Sequence, residues 1–385
     1  MSALRPHTPD IAVIGAGVVG LWCALIAARR GATVTLIEKR KCGAGASGGV
    51  LGALMPHQPV GWNAKKQFQL DGLLSLPGRI ADLERATGVD CGYRRVGRLM
   101  PIAHAEKRRQ SAQWAYGARR NWPEGLDWTV LEGNPAPGWL ADTVPVHGCN
   151  RDTLAARLYP RGLVGALGAA VSAMPKIRIK EQAEAIDVAD EIGLFDGAVL
   201  APGATILAAG TGSFPLVDPA DPHRIGRGVK GQGALLAPAA PVDPGLPILF
   251  DRGVYVIAHD SGHVAVGSTS EDSYAAPETT DSQLDALIDK ASALCPALDG
   301  ARIAERWAGV RPRAAGREPL VGPLPGRARL VLATGGFKIT FAIAHLMAEA
   351  AVALAAGEPP PQALPAAFLP ESRLRETSLT PPRSA

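Results

Sequence analysis

Two groups of residues in this 385-residue chain have types and spacing suited to chemistry. The first is Gly15, Gly17 and Gly20, a G-x-G-x-x-G inside "DIAVIGAGVVGLWCALIAARRGATVTLIEKR". The first glycine permits a tight turn, the second lets backbone approach a pyrophosphate, and the third lets helix pack closely on strand. Val18 and Val19 then open a helix whose free N–H groups face phosphates. Glu38, followed by Lys39, is placed to accept hydrogen bonds from a ribose 2′-OH and to disfavour a 2′-phosphate. The loop "KCGAGASGGVLGALMPHQP" brings Ala46, Ser47, Gly48, Gly49 and Leu51, a composition suited to backbone lying against a ligand with small donors aimed at phosphate or a ring. The second group is Arg306, Arg311, Arg313 and Arg317 around an apolar "WAGV". A planar guanidinium can grip a carboxylate through two parallel hydrogen bonds. The other reading of this cluster is a solvated basic face beside a buried tryptophan.

The elements that must position these residues follow from periodicity. Ile11 to Ile14 reads as a buried strand, about Val18 to Arg30 as a helix, and Thr33 to Ile37 as a second strand, which together make a βαβ unit. Residues 63 to 87 have helical spacing that predicts a break near Pro77. "GVDCGYRRVGRLMPIA" alternates like a hairpin, and 106 to 120 is a charged helix. "TLAARLYPRGLVGALGAAVSAM" reads as a helix interrupted near Pro160, and the strands after it end in a second glycine turn at Gly210. Residues 229–275 read as an antiparallel sheet with Tyr255 in mid-strand. An amphipathic helix from Ser282 to Leu294 follows. The chain then repeats strand, glycine turn (Gly335, Gly336, Phe337, Lys338) and long apolar helix. The simplest organisation is α/β: a Rossmann-type parallel sheet assembled from 1–62, 145–225 and 305–365, interleaved with a smaller α+β domain from 63–144 and 226–304. Residues 366–385, within a proline-rich stretch starting at Gly357, are expected to wrap the surface or stay flexible.

Composition narrows the function classes. Forty basic and thirty-six acidic residues are spread along the chain, so no stripe suited to nucleic acid stands out. The N-terminal "MSALRPHTPD" lacks the features of a signal peptide and no membrane span is expected, so the predicted location is cytoplasmic. Five scattered cysteines without C-x-x-C argue against a disulfide framework and a zinc site, and no metal is expected. His57 and His259 are outside candidates for chemistry, Cys42 reads as an incidental thiol, and Trp307 reads as packing.

The motifs together resemble the FAD-dependent D-amino-acid oxidase family, most closely its glycine oxidase and D-amino-acid dehydrogenase branches. The resemblance spans nearly the whole chain through "VIGAGVVGLWCALIAARRGATVTLIEK", "GASGGVLGALMP", "ILAAGTGS", "VKGQG", "YVIAHDSGHVAVGSTSED", "WAGVRPRAAGREPLVGPLPG" and "ATGGFKITFAIA", in that order. It implies FAD as cofactor, with Gly210 and the Gly335–Lys338 turn beside it. It also implies that Arg311 pairs with a substrate carboxylate and that the Tyr255 hydroxyl helps hold it. Lys338, just before an apolar helix near the flavin, is placed to stabilise the reduced ring or that carboxylate; the other reading is a lysine snorkelling at a helix start. Sarcosine oxidases carry a cysteine for covalent flavin attachment after the arginine stretch; "RPRAAGREP" has none, so the FAD is expected to be noncovalent. "GGFKIT" departs from the glycine oxidase pattern at Gly336, Lys338 and Ile339, which weakens glycine itself as substrate. The implied activity is oxidation of the C–N bond of a small amino acid or N-substituted amino acid. Oxygen, a quinone or a carrier would take the electrons, in a possible homo-oligomer. The alternatives are an oxidase resembling the tRNA wobble-uridine modification enzymes and a non-catalytic flavin-binding subunit.

Overall fold

The computed structural model describes residues 8–378; the N-terminal "MSALRPH" and the "LTPPRSA" end of the tail lie outside them. Short apolar runs such as Ile11–Ile14, Val34–Ile37 and Ala204–Leu207 are buried along their whole length, as expected of parallel strands covered on both faces. They build a six-stranded sheet in the order Leu320–Leu324, Arg327–Thr334, Ala204–Leu207, Ile11–Ile14, Val34–Ile37, Ile177–Lys180. All its pairings are parallel except the first. Alternate residues serve opposite faces. Ile11 and Val13 join the core under the helices Val18–Arg29, Ala64–Thr87, Pro160–Ser172 and Thr340–Ala355. Ala12 and Ile14 join Val188, Ile192 and Leu194 of a small three-stranded sheet.

The second sheet has eight strands in the order Arg302–Ala314, Gly226–Ala237, Val264–Gly267, Val254–Ala258, Ile248–Asp251, Arg98–Pro101, Cys149–Asp152, Trp128–Leu131. It is antiparallel except where Ile248–Asp251 meets Arg98–Pro101. The segments 145–225 and 305–365 thus contribute strands to both sheets.

Three local expectations are corrected. The helix Ala64–Thr87 runs unbroken through Pro77. Proline deprives the carbonyl four residues earlier of its donor, and here Arg95 Nη2 donates to that carbonyl, Leu73 O, at 2.9 Å. Leu73, Leu76, Ile80 and Leu83 are buried around it and hold the helix in place. Residues 88–103 form no hairpin. Gly92 and Gly97 turn the chain at positive φ, and the single strand Arg98–Pro101 pairs with partners distant in sequence. Pro160 does not interrupt a helix but begins one, at the first-turn position where its missing N–H costs nothing.

The segment Phe337–Ala355 is long and apolar enough to cross a membrane, yet most of it is packed inside the fold against Val18–Arg29 and Ala64–Thr87. The tail wraps the body at least as far as Phe368, which is fully buried edge-on to Phe68 at 5.3 Å between ring centroids.

Candidate active site

A cavity of about 710 Å³ runs between the C-terminal ends of the parallel strands and the face of the antiparallel sheet. That volume lies within the range of ligand clefts, about 300–1,000 Å³. One end is built almost wholly from backbone. Gly15 takes φ +97°, and a methyl there would sit 2.6 Å from Ala208 O, so only glycine makes this turn. Gly17, Val18 and Val19 line the cavity where the helix begins. Ser47 Oγ accepts from Val18 N at 3.0 Å and ties the glycine-rich loop to the helix terminus. Glu38 lines the cavity from the end of its strand, its carboxylate accepting from Ala16 N and Arg40 N, both at 2.9 Å. Lys39, beside it, faces Glu184 at 3.8 Å. Ala46, Gly49, Leu51 and Gly210 also reach the wall.

Two of the expected glycines do not. Gly20 lies behind the turn, where an added Cβ would fall 1.8 Å from Gly15 O; its role is to let helix and strand touch. Gly48 packs on Gly43 O, and its own carbonyl accepts from Arg161 Nε at 2.8 Å.

The other end is built from side chains. On the strand Arg302–Ala314, Trp307 and Arg311 lie four residues apart and so share a face. Both line the cavity. Trp307, read from sequence as packing, is a wall residue: its ring lies across Gly49 and Gly309, and a Cβ on Gly309 would meet it at 2.4 Å. The Arg311 guanidinium lies over Gly231 of the neighbouring strand, where a Cβ would meet Nη2 at 1.9 Å. Arg311 Nη1 donates to Thr269 O at 3.3 Å, and burial pulls the guanidinium below its ordinary pKa. Among the described residues no carboxylate pairs with it. Its neighbours differ: Arg306 pairs with Asp285, Arg313 with Asp272 at 2.6 Å, and Arg317 is exposed.

Tyr255 enters from mid-strand, its ring 4.8 Å from that of Phe250, and burial raises its pKa against the opposing pull of Arg98 and Arg311. The hydroxyl therefore stays protonated. Gly335, Gly336, Phe337 and Lys338 close the wall from the final turn. Phe337 holds φ +49°, with Arg313 and Lys338 over its ring at 5.5 and 5.6 Å from the centroid. Desolvation, with Arg311 and Arg313 nearby, lowers the Lys338 pKa.

Several wall residues were not legible as such. Arg98 is buried, pairs with Asp152 at 2.6 Å, and lies over the Trp128 ring at 5.4 Å. Gln232, fully buried, donates through Nε2 to Glu271 at 3.0 Å and Asp281 at 2.8 Å, while Lys230 lies 3.5 and 3.4 Å from the same two carboxylates. Thr269 Oγ1 donates to Glu271 and accepts from Gln232 N at 2.8 Å, so this buried network fixes the residue whose carbonyl holds Arg311. The alternation of Lys230 and Gln232 in "VKGQG" was the available signal: two polar residues on one face of a strand in an apolar sheet need buried partners.

The histidines divide. His57 lines the cavity, its backbone N–H and Nδ1 both directed at Gln69 Oε1, and burial lowers its pKa. His259 does not reach the cavity; its Nε2 lies 3.1 Å from Val50 O and burial pushes its pKa down to about 4. The cysteines are unpaired, and burial, with Glu181 beside it, pushes the half-buried Cys42 thiol up to about 12.

The FAD dependent oxidoreductase (DAO) family matches residues 10–350. Among curated proteins, the chain is 28% identical to a glycine oxidase of Pseudomonas putida, over 95% of this chain and 99% of that protein. It is 29% identical to a glycine oxidase of Pseudomonas aeruginosa, over 94% and 99%. Among solved structures, glycine oxidase from Geobacillus kaustophilus superposes with a TM-score of 0.83 at 21% identity, covering 94% of this chain and 98% of that one. Iminodiacetate oxidase from Chelativorans sp. BNC1 superposes at 0.81 and 21%, covering 92% and 97%.

Proposed function

The chain belongs to the FAD dependent oxidoreductase family, and from that premise we propose that it oxidises the C–N bond of a small amino acid or N-substituted amino acid. The wall fits FAD on two observations. The side-chain-free turn at Gly15 and Gly17 leaves backbone open to a pyrophosphate, and the cavity runs on from it to a cluster of cations. Gly15, Gly17, Val18, Val19, Glu38, Lys39, Ala46, Ser47, Gly49, Leu51 and Gly210 would hold the nucleotide side, and Gly335 to Lys338 the flavin side. No cysteine lines the cavity among the described residues, which supports noncovalent attachment. When bound, the flavin supplies the acceptor for the hydride that leaves the substrate Cα.

The observation that carries the proposal is Arg311: a desolvated guanidinium, held by one backbone carbonyl and, among the described residues, left without a carboxylate. Burying a cation without a partner is costly, so the position is built to receive an anion from outside. Arg311 fixes the substrate carboxylate through parallel hydrogen bonds, and the neutral Tyr255 hydroxyl donates a further one. Trp307, Leu51 and Phe337 keep the Cα region apolar and dry. The neutral amine needs no side-chain base: its lone pair forms C=N as the hydride departs, and water later converts the imino acid to oxo acid and ammonia or amine. What the chain contributes is orientation. The relatives named as glycine oxidases support the same substrate class.

Anaerobic absorbance of the flavin-loaded protein against glycine, sarcosine, proline derivatives and D- and L-amino acids tests the reading. Bleaching by at least one of them is expected; a flavin that none of them reduces overturns it.

A further inference from the structure

Arg311 is not alone in lacking a counter-charge. Four cations stand at or beside the substrate end: Arg98, Arg311, Arg313 and Lys338. Asp152 neutralises Arg98 and Asp272 neutralises Arg313, each at 2.6 Å. Among the described residues neither Arg311 nor Lys338 has a carboxylate within 4.0 Å. Glu271 acts on Arg311 through space, but its oxygens are engaged by Gln232, Thr269 and Lys230. The charges that bear on Lys338 are Arg311 and Arg313, both positive. The acids that line the cavity, Glu38 and Glu184, belong to the nucleotide end, where one holds backbone N–H groups and the other faces Lys39. The Lys338 ammonium sits over the Phe337 ring, whose backbone holds φ +49°. The substrate end thus presents two positive charges without a carboxylate partner among the described residues, the half-buried Arg311 and the more exposed Lys338, both reaching a largely apolar wall, where attraction for an anion is stronger than in bulk water.

One carboxylate neutralises one of them. Resting on the amino-acid reading above, we propose that the substrate is a dicarboxylate: an acidic amino acid, or a glycine whose nitrogen carries a carboxyalkyl group. The carboxylate next to the reacting C–N bond is held by Arg311 and Tyr255, and the second by Lys338. The lysine is suited to the second position because its point charge on a flexible stem accepts a carboxylate from several directions, whereas the guanidinium fork demands one. Lys338 is then a residue of specificity, and the departure of "GGFKIT" from the glycine oxidase pattern is what shifts the enzyme from a monocarboxylate to a dicarboxylate.

The test uses the flavin-loaded enzyme and unreactive probes, malonate and succinate against acetate and propionate, with affinity read from perturbation of the bound-flavin spectrum or by calorimetry. The dicarboxylates should bind at least about tenfold more tightly than the matched monocarboxylates, the scale of one charge-assisted contact. Lys338→Gln should collapse that ratio towards one, and Lys338→Arg should largely restore it. Anaerobic reduction by iminodiacetate should likewise outrun reduction by sarcosine in wild type and lose that advantage in Lys338→Gln. Equal binding of the two probe classes overturns the proposal, as does a Lys338→Gln that weakens both classes equally. If sarcosine or glycine reduces the flavin as readily as iminodiacetate, the dicarboxylate assignment falls while amino-acid oxidation stands. If no amino acid of either kind reduces it, the preceding reading falls and this one with it.

Discussion

The two ends of the cavity are made by different means. At the nucleotide end the wall is mainly backbone and small residues, most of them from the first fifty residues: the turn at Gly15, the helix start at Val18 and the loop through Ser47, joined by the Ser47 to Val18 hydrogen bond, with Glu184 and Gly210 added from later in the chain. At the substrate end it is a handful of large side chains delivered by three strands and the final turn: Arg98, Tyr255, the pair Trp307 and Arg311, and Lys338. A site that binds through backbone depends on close packing and cannot be retuned by side chains. A site that binds through side chains can be retuned by one substitution, but each charge in it needs buried support. On this account the chain builds its cofactor end from backbone and places its chemical individuality at Arg311 and Lys338.

That contrast can be broken from either side. The largest effect is expected from Gly20→Ala. Its methyl would overlap Gly15 O, forcing helix from strand, so the purified protein should lose most of its flavin absorbance relative to protein absorbance. Retention of a full complement of flavin would contradict the packing role. Next is Glu271→Gln, which weakens the network behind Thr269. It should cost roughly 1–3 kcal/mol of stability and raise KM for a carboxylate substrate more than it lowers kcat, because the guanidinium is displaced rather than removed. Unchanged KM would show that Thr269 does not position Arg311.

His259 tethers the two ends through Val50 O, and pH tests that tether. His259 titrates at about 4 and His345, buried against Ser75, at about 3 in the folded chain, against 6.5 when unfolded. Between these values the unfolded chain binds more protons, so the stabilisation is complete above pH 6.5 and is lost as pH falls towards 4. Denaturant unfolding at pH 7.5 and pH 5 should differ by roughly 1–2 kcal/mol for each histidine; equal stability at the two pH values would refute their neutral burial. The smallest effect is expected from Tyr255→Phe, a loss of about 0.5–1.5 kcal/mol in transition-state stabilisation, seen as a fall of a few fold in kcat/KM. A loss as large as that of a charged partner would give the hydroxyl a greater part than carboxylate binding.

The same contrast explains what the sequence made legible. The βαβ unit could be read because turn, helix and second strand are contiguous, and local geometry dictates glycine at each point. Arg98 could not: it sits in a strand whose partners, Cys149–Asp152 and Ile248–Asp251, are far away along the chain, so the alternation around it looked like a local hairpin. Pro77 misled because the donor that rescues Leu73 O is eighteen residues beyond it, on Arg95. Trp307 passed as packing because nothing in "WAGV" says that Gly49, from the first sixty residues, lies against its ring. Lys338 was legible as a cation beside the flavin end and as a departure from a family pattern. Its significance depends on which neighbouring cations are already paired, and pairing is a property of the folded chain.

The central claim is that Arg311 waits for a substrate carboxylate. The most direct measurement is an anaerobic titration of flavin reduction by an amino acid that bleaches the wild-type protein, run beside Arg311→Ala. The account predicts that Arg311→Ala keeps its flavin and spectrum but needs about a hundredfold or more substrate to reach half-maximal reduction, the scale of losing a buried charge-assisted pair. A variant that is reduced at the same substrate concentrations as wild type would contradict it.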